Sequence, residues 1–283
     1  MNALEVINLS KHYPKFTLDN VSFSVGDGRI AGLIGRNGAG KTTTLKAIMR
    51  LISASGDVRV FGKSFTADED SVKETVGYVG GGFRYYPSKT LASVRKVVSS
   101  FYTDWNDATY EKYLKTFNLD ETKKIRELSE GMKVKFSLAL AISHNAKLLI
   151  MDEPTSGLDP LSREEFCDII LSLVQSENIT VLFSTHITSD LMRIADDIIY
   201  IADGKLVVSE SLEELLAKYS LAHFTTAEEA EKAHSIGIKQ VKNGWEGLIP
   251  KNSEPAGAVV SEATLDHIMI HLEYEKTRRN END

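Results

Sequence analysis

A glycine-rich segment constrains this chain more than any other feature. Residues 35–42 are Gly-Arg-Asn-Gly-Ala-Gly-Lys-Thr, which matches the phosphate-binding pattern G-x-x-x-x-G-K-[ST]. The apolar run at 30–34 predicts a strand before the segment, and a helix is predicted to begin near its lysine. Glycines let successive backbone N–H groups point at phosphate oxygens, and the helix N-terminus adds a favourable dipole. The segment therefore predicts a phosphate site between a strand and a helix.

Residues of this segment have separate predicted roles. Lys41 can reach the β- and γ-phosphates of a nucleotide, the Thr42 hydroxyl is a predicted Mg²⁺ ligand, and Thr43 can contact the α-phosphate. The other predicted nucleotide contacts in the segment are Gly35, Asn37, Gly38, Ala39 and Gly40. Together they predict binding of ATP with Mg²⁺.

A second segment supplies two adjacent carboxylates. The apolar run at 148–151 predicts a buried strand that ends in Asp152 and Glu153. Because successive strand residues point to opposite sides, Asp152 can face the Mg²⁺ shell while Glu153 faces the attacking water. Such an ending is by itself usually structural, but a phosphate-binding loop in the same chain favours the catalytic interpretation.

Further motifs follow in an order typical of one family. Residues 128–132, Leu-Ser-Glu-Gly-Met, resemble the signature motif of ABC ATPases. Residues 156–159, Ser-Gly-Leu-Asp, resemble the D-loop of that family, and His186 resembles its switch histidine. Tyr13 stands where the family has an aromatic residue that stacks on adenine. Each element alone has an ordinary structural explanation, such as a capped helix start at Ser129, but the ordered series is specific over about residues 4–214.

The resemblance implies a site that two chains share. Two copies, or one copy and a paralogous ATPase subunit, would pair head to tail. Ser129 and Gly131 of one chain would then contact the γ-phosphate bound by the other, with Asp159 also at the nucleotide. Glu153 would activate or position the water, and His186 would hold the water and the γ-phosphate. The expected reaction is ATP hydrolysis, which depends mainly on positioning and charge stabilisation.

The order of elements predicts an α/β fold. The resemblance implies a P-loop ABC ATPase with an antiparallel β subdomain, a parallel-sheet core, a helical insert and a small C-terminal α+β extension. Period-two patterns at 4–9 and 21–25 predict half-buried strands, and another strand is predicted at 58–61. A strand–helix–strand order from 148 to 183 predicts part of a parallel sheet.

The predicted domains are an ABC ATPase domain at 1–218, with its helical insert at about 88–140, and an accessory domain at 219–283. In the accessory domain we expect a helix that begins near Thr226 and ends at His234, followed by three short strands and a final helix. The strands are predicted at 236–241, 245–249 and 257–260, the helix at 262–275 and a frayed polar tail at 276–283.

Composition narrows the class of function. A net charge of −7 argues against a nucleic-acid partner, and a single cysteine, which cannot form an internal disulfide, fits a reducing compartment. The first residues do not resemble a signal peptide, and no apolar run approaches the length of a membrane span. We therefore expect no direct membrane insertion. The resemblance implies a separate integral-membrane permease, which would hold the chain at the cytoplasmic face of the membrane.

Within the family, the chain most resembles subunits of ABC-2-type exporters, particularly the group that includes the phenol-soluble modulin exporters. The expected cargo is peptides or other amphipathic or toxic compounds. One alternative is an ATP-binding regulatory ABC module with weak turnover. Another is a soluble ABC ATPase of translation or DNA repair, although the paired cassettes, coiled coils or basic surfaces usual in such proteins do not occur in this sequence.

The sequence departs from the family pattern at three places. Residues 80–82 are all glycine where the family has a glutamine that contacts Mg²⁺, and Glu130 and Met132 replace a glycine and a glutamine of the signature motif. We expect the glycine segment to be mobile, and Asp152 to reach Mg²⁺ through a water. The aromatic segment at 83–87 is a predicted contact with a cytosolic helix of the permease, and the alternative is that its rings pack into the helical insert.

Overall fold

The computed structural model describes residues 1–80 and 86–282, with side chains through Arg278. The described chain forms two compact units, Met1–Ser209 and Glu210–Asp283. The sequence placed the boundary between 218 and 219, whereas the structure assigns 210–218 to the second unit.

The first unit contains ten strands and seven α-helices among the described residues. In chain order they are β1 (Asn2–Tyr13), β2 (Phe16–Gly26), β3 (Ile30–Ile34), α1 (Lys41–Ile48), β4 (Ser55–Val60), β5 (Lys63–Ser64), α2 (Glu69–Thr75), β6 (Val76–Val79), α3 (Leu91–Ser99), α4 (Asp107–Thr116), α5 (Glu130–Ile142), β7 (Leu148–Asp152), α6 (Pro160–Glu177), β8 (Thr180–Thr185), α7 (Thr188–Ile194), β9 (Asp197–Ala202) and β10 (Lys205–Ser211), whose end crosses into the second unit.

Two sheets of the first unit confirm the predicted α/β class. An antiparallel sheet has the order β2-β1-β4-β5, and a six-stranded sheet has the order β10-β9-β3-β8-β7-β6. In the six-stranded sheet, β9, β3, β8, β7 and β6 run parallel. Every residue of β3, β7 and β8 is buried, which explains why each strand contains consecutive apolar residues rather than alternating ones.

The core lies between the antiparallel sheet, α1 and the parallel sheet. Leu4 and Val21 from the antiparallel strands, Leu45 of α1 and Ile150 of β7 belong to one fully buried apolar cluster. This packing fixes α1 against both sheets. The helix can therefore present its N-terminus at the edge of the parallel sheet where β3, β7 and β8 end.

The helical insert falls near its predicted position. Helices α3, α4 and α5 lie between β6 and β7, with a short 3₁₀ helix at Ile125–Glu127 before α5. The insert therefore ends with α5 at Ile142, just beyond the predicted residue 140. Its helices begin at side-chain caps, as Thr90, Asn106 and Ser129 each accept a backbone N–H bond.

The second unit has its own antiparallel sheet. Its elements are α8 (Leu212–Lys218), β11 (Tyr219–Phe224), α9 (Ala227–Lys232), β12 (Ile236–Val241), β13 (Gly244–Pro250), β14 (Val259–Glu262) and α10 (Leu265–Asn282). The strand order is β12-β13-β11-β14. Phe224, Ala230 and Ile249 form the centre of a small separate core.

The largest differences between predicted and observed elements of this unit are at β14 and α10. The strand predicted at 257–260 begins later, at Val259, because Gly257 has a φ of 80° that belongs to a turn. Helix α10 continues through Asn282, where we predicted a frayed tail from 276 onward. The residues of that tail include good helix formers, and Arg278 also pairs with Glu231 at 3.2 Å.

Among the described residues, no helix combines the length and the apolar character that a membrane crossing requires.

Candidate functional site

The glycine-rich segment joins the end of β3 to the start of α1, as predicted. Gly40 precedes the helix with a φ of 115°, which L side chains rarely adopt, and a Cβ there would lie 2.9 Å from the Phe16 ring. At the other end of the loop, a Cβ on Gly35 would lie 2.3 Å from the carbonyl oxygen of Ile201. The shape of the loop therefore requires glycine at both ends.

Lys41 lies inside this loop with only 5% of its surface exposed. Its Nζ donates to the Gly35 carbonyl at 2.8 Å and to the Arg36 carbonyl at 3.3 Å, and lies 3.1 Å from Glu153 Oε1. A buried ammonium group is costly unless it is paired. These contacts compensate the charge and hold it at the mouth of the loop.

Thr42, Asp152 and Ser184 form a second group of contacts. Thr42 Oγ1 donates to Asp152 Oδ1 at 3.0 Å, and Ser184 Oγ donates to the same oxygen at 2.8 Å. Asp152 and Ser184 are direct neighbours in the parallel register of β7 and β8. A hydroxyl and a carboxylate side by side are the oxygen donors that Mg²⁺ uses when phosphates and waters complete its shell, so this pair fits the ion.

Glu153 follows Asp152 in a strained backbone conformation. Its φ is 49°, in the left-handed region that few non-glycine residues adopt. Its N–H donates to the carbonyl oxygen of Ser184 at 3.0 Å and contacts the Ser184 hydroxyl at 3.1 Å. The side chain thereby turns toward the loop, and Glu153 Oε2 lies 2.7 Å from Nδ1 of His186. An ionised carboxylate only accepts hydrogen bonds, so Nδ1 carries the proton in this pair.

These groups surround one pocket of about 420 Å³. Of the predicted residues, Asn37, Gly38, Gly40, Lys41, Thr42, Thr43, Glu153 and His186 line it. Two further predicted residues are joined to the lining by hydrogen bonds, since Gly35 accepts one from Lys41 and Asp152 accepts one from Thr42. Ala39 is buried within the loop. The structure therefore brings together the residues predicted from the phosphate loop, the β7 end and the β8 end.

Four predicted nucleotide contacts do not line this pocket within the described part of the chain: Tyr13, Ser129, Gly131 and Asp159. Ser129 caps α5 by accepting the Met132 N–H at 3.2 Å. Asp159 caps α6, and its hydrogen bonds from Ser162 hold the pKa of its carboxyl below the ordinary value. Their roles at a nucleotide stay predictions.

The structure adds to the site residues for which the sequence predicted no individual role. Phe16 and Ser156 line the pocket, and Tyr13 lies opposite Phe16 at the end of the β1–β2 pair. Ser184 lies two residues before the predicted switch histidine, His186, but its hydrogen bond to Asp152 forms only because β8 pairs with β7. The only sequence signal for Ser156 was its place in the D-loop-like segment, and Phe16 had none.

The predicted mobile segment and permease contact fall largely at residues 81–85, which lie outside the described residues. Of the neighbouring residues that the structure describes, Tyr86 is 77% exposed.

Comparisons with known proteins show which family this chain belongs to. A family model described as "ABC transporter" matches residues 18–156. The bacitracin transport ATP-binding protein BcrA of Bacillus licheniformis is 33% identical over 72% of this chain and 68% of its own length. The lantibiotic transport ATP-binding protein SrtF of Streptococcus pyogenes is 34% identical over 75% of this chain and 95% of its own.

A solved structure gives the same result for the fold. The structure of an ATP-binding subunit of an ABC transporter is 28% identical to this chain, covers 75% of it and 91% of its own length, and has a TM-score of 0.67. The predicted P-loop ABC ATPase fold is thereby confirmed.

Proposed function

This chain belongs to the ABC transporter family of ATP-binding ATPases, and from that premise we propose that it hydrolyses ATP in the pocket between residues 35–43 and Glu153. The observation that carries the proposal is the convergence of Lys41, Glu153 and His186 on one pocket from three separate segments. Phosphoryl transfer requires positioning and charge stabilisation more than covalent chemistry, and this pocket supplies both.

Each side chain has a role that follows from its position. Lys41 stabilises the negative charge of the β- and γ-phosphates, and ATP binding exchanges part of its present pairing with Glu153 for phosphate oxygens. Glu153 then has a carboxylate oxygen available to orient the attacking water or accept its proton. His186 keeps Glu153 in place through Nδ1 and leaves Nε2 to accept a hydrogen bond from the water, or to donate one to the γ-phosphate when that nitrogen also carries a proton.

Thr42 and Asp152 are the residues that would hold Mg²⁺, because their oxygens lie 3.0 Å apart beside the phosphate loop. When bound, Mg²⁺ neutralises charge on the phosphates. Ser184 fixes the Asp152 carboxylate with a bond of 2.8 Å, so this oxygen pair is oriented before the ion arrives.

In this proposal, the site is complete only when a second chain contributes residues to it. Ser129 and Gly131 do not line the pocket among the described residues, although both belong to the signature-like motif. A head-to-tail pair, of two copies or with a paralogous subunit, would bring them to the γ-phosphate of the facing chain. Mixing Lys41→Ala protein with Ser129→Arg protein tests this arrangement, since only a mixed pair of copies contains one intact composite site.

The transport role extends the proposal to a membrane partner. The chain powers export of peptides or similar amphipathic compounds through a separate permease, and it lies at the cytoplasmic face of the membrane through that permease. The names of two relatives, which refer to bacitracin transport and lantibiotic transport, support peptide-like cargo. Co-purification with a multi-span membrane protein from the native membrane, and its loss on detergent exchange, would test the attachment.

The enzymatic part is tested by Glu153→Gln. We expect ATP turnover to fall at least about 100-fold, because the carboxylate is lost, while ATP affinity changes less than about threefold because side-chain size is kept. Steady-state phosphate release and equilibrium binding of a fluorescent ATP analogue measure the two quantities. Wild-type protein that binds ATP but shows no Glu153-dependent turnover would instead support the regulatory ABC module.

A further inference from the structure

A buried carboxylate of the first unit lies where three segments of the proposed site meet. Asp190 is 5% exposed, and both of its oxygens are occupied by the protein. Oδ2 accepts a hydrogen bond from Thr155 Oγ1 at 2.7 Å, and Oδ1 accepts two from Arg163, at 2.6 Å from Nη2 and 3.2 Å from Nε. Nothing in the roles proposed above requires this cluster.

The partners of Asp190 belong to the segments that carry the predicted catalytic and D-loop residues. Thr155 is fully buried and follows Glu153 by two positions. Arg163 lies in the first turn of α6, where its N–H bonds to the carbonyl oxygen of Asp159 at 3.0 Å. Asp190 itself lies on α7, which begins directly after the His186 segment. The Asp190 carboxylate therefore connects the segment that follows Glu153 to the helix that follows His186.

Glu153 needs restraint from both directions along the chain. Its positive φ is unfavourable for an L residue and persists only when surrounding contacts determine it. On the preceding side, its N–H is held by Ser184 of β8. On the following side, Ser156 N–H bonds to the Glu153 carbonyl at 3.1 Å, and Thr155 is anchored to Asp190. The Thr155 bond is thus the side-chain anchor of the turn that aims the carboxylate.

We propose that Asp190 is a positioning residue that fixes Glu153 and His186 relative to each other, through Thr155 on one side and its own helix on the other. The inference rests on the proposed hydrolysis, since its effect is on the geometry of that reaction. Misplacement of a reacting group by about 1 Å can cost on the order of 100-fold in rate, so a short anchor of this kind has a measurable effect.

The chain offers a matched control on the same two helices. Arg193 of α7 bridges Glu164 and Asp168 of α6, each at 2.7 Å. This second connection also joins α6 to α7, but its acidic partners are more than half exposed and it contacts neither Thr155 nor the pocket lining. A purely structural link between the helices would make the two connections equivalent.

The test is Thr155→Val, which removes the hydroxyl, keeps the shape of the side chain and leaves Asp190 paired with Arg163. We expect kcat for ATP to fall at least about tenfold with KM within about twofold, because the effect is on the transition state rather than on binding. Thr155→Ser restores the hydroxyl and should return kcat to near the wild-type value. The double variant Glu164→Gln with Asp168→Asn should leave kcat unchanged.

Several results would overturn the positioning role. These are an unchanged kcat in Thr155→Val, a fall in kcat of the same size in the Glu164 and Asp168 double variant, or no rescue by Thr155→Ser. If Thr155→Val does not fold, Arg163→Lys carries the same kcat prediction, since it keeps the charge but loses the forked contact. Wild type and Glu153→Gln in the same assay separate the two claims. If turnover depends on Glu153 but the kcat of Thr155→Val is normal, only the positioning role is refuted. If turnover does not depend on Glu153, both claims are refuted.

Discussion

The two units of this chain bury polar side chains in different ways. In the first unit, the buried residues Lys41, Asp152 and Asp190 have ammonium or carboxyl side chains that are joined to side chains from other elements. In the described part of the second unit, the buried polar residues are Ser220, Ser235 and His271, and His271 Nδ1 is satisfied by the backbone carbonyl of Gly237 at 2.7 Å.

This difference distinguishes the unit that carries the candidate site from the unit that does not. Burial of a charge costs far more than burial of a neutral hydroxyl or imidazole, so a fold that concentrates several charges at one sheet edge must compensate them with each other or with a ligand. The first unit does so where the parallel strands end. Among its described residues, the second unit buries only hydroxyl and imidazole side chains as polar groups, so we expect substitutions there to change stability and substitutions at the sheet edge to change chemistry.

The largest expected effect on ATP binding is that of Lys41→Ala. The substitution removes the buried ammonium, whose charge-assisted hydrogen bonds are worth about 1.5–3 kcal/mol, so affinity should fall about 10- to 100-fold. Equilibrium titration with a fluorescent ATP analogue measures it. Lys239→Ala, in the second unit, is the control and should bind ATP normally; equal losses in both variants would remove the contrast between the units.

The next effect, on stability rather than on binding, is expected for Gly237→Ala in the second unit. Gly237 has a φ of 62°, and a Cβ there would lie 1.7 Å from the carbonyl oxygen of His271. The free energy of unfolding of this unit should fall by at least about 2 kcal/mol from the left-handed conformation and the clash. Urea unfolding followed through Trp245, in a Trp105→Phe background, reports on this unit. An unchanged midpoint would show that the backbone adapts freely.

The smallest effect concerns pH. Burial lowers the pKa of His271 in the second unit and of His144 in the first. The unfolded chain then binds protons that the folded chain does not, so stability is constant at high pH and falls as pH drops below about 6.5, by at most about 1.4 kcal/mol per pH unit for each histidine. His271→Gln should weaken the pH dependence of stability that is followed through Trp245, and it should leave the pH dependence that is followed through Trp105 unchanged. Equal flattening of both signals would contradict two independent units.

The sequence predicted those parts of the site that are local in the chain. The loop from Gly35 to Thr42 and the Asp152–Glu153 pair each follow a strand whose apolar run is visible, so their positions could be predicted. Pairings across the sheet could not be. Ser184 reaches Asp152 only because β8 lies beside β7, and Thr155 reaches Asp190 only because α7 lies against the segment that follows β7.

The second unit shows the same limit. The predicted strand at 236–241 matches the observed bounds of β12, but β14 was placed too early because the turn at Gly257 extends beyond the glycine. The buried position of His271 could not be predicted, since the close approach of α10 to Gly237 is a contact between distant residues.

The most direct test of the central claim is the crystal structure of the Glu153→Gln variant with Mg²⁺ and ATP. We predict the γ-phosphate within hydrogen-bonding distance of Lys41 Nζ, Thr42 Oγ1 beside the ion, and His186 facing the γ-phosphate. Phosphates bound elsewhere, or bound in this pocket with Lys41 still paired to the backbone and His186 turned away, would contradict the account.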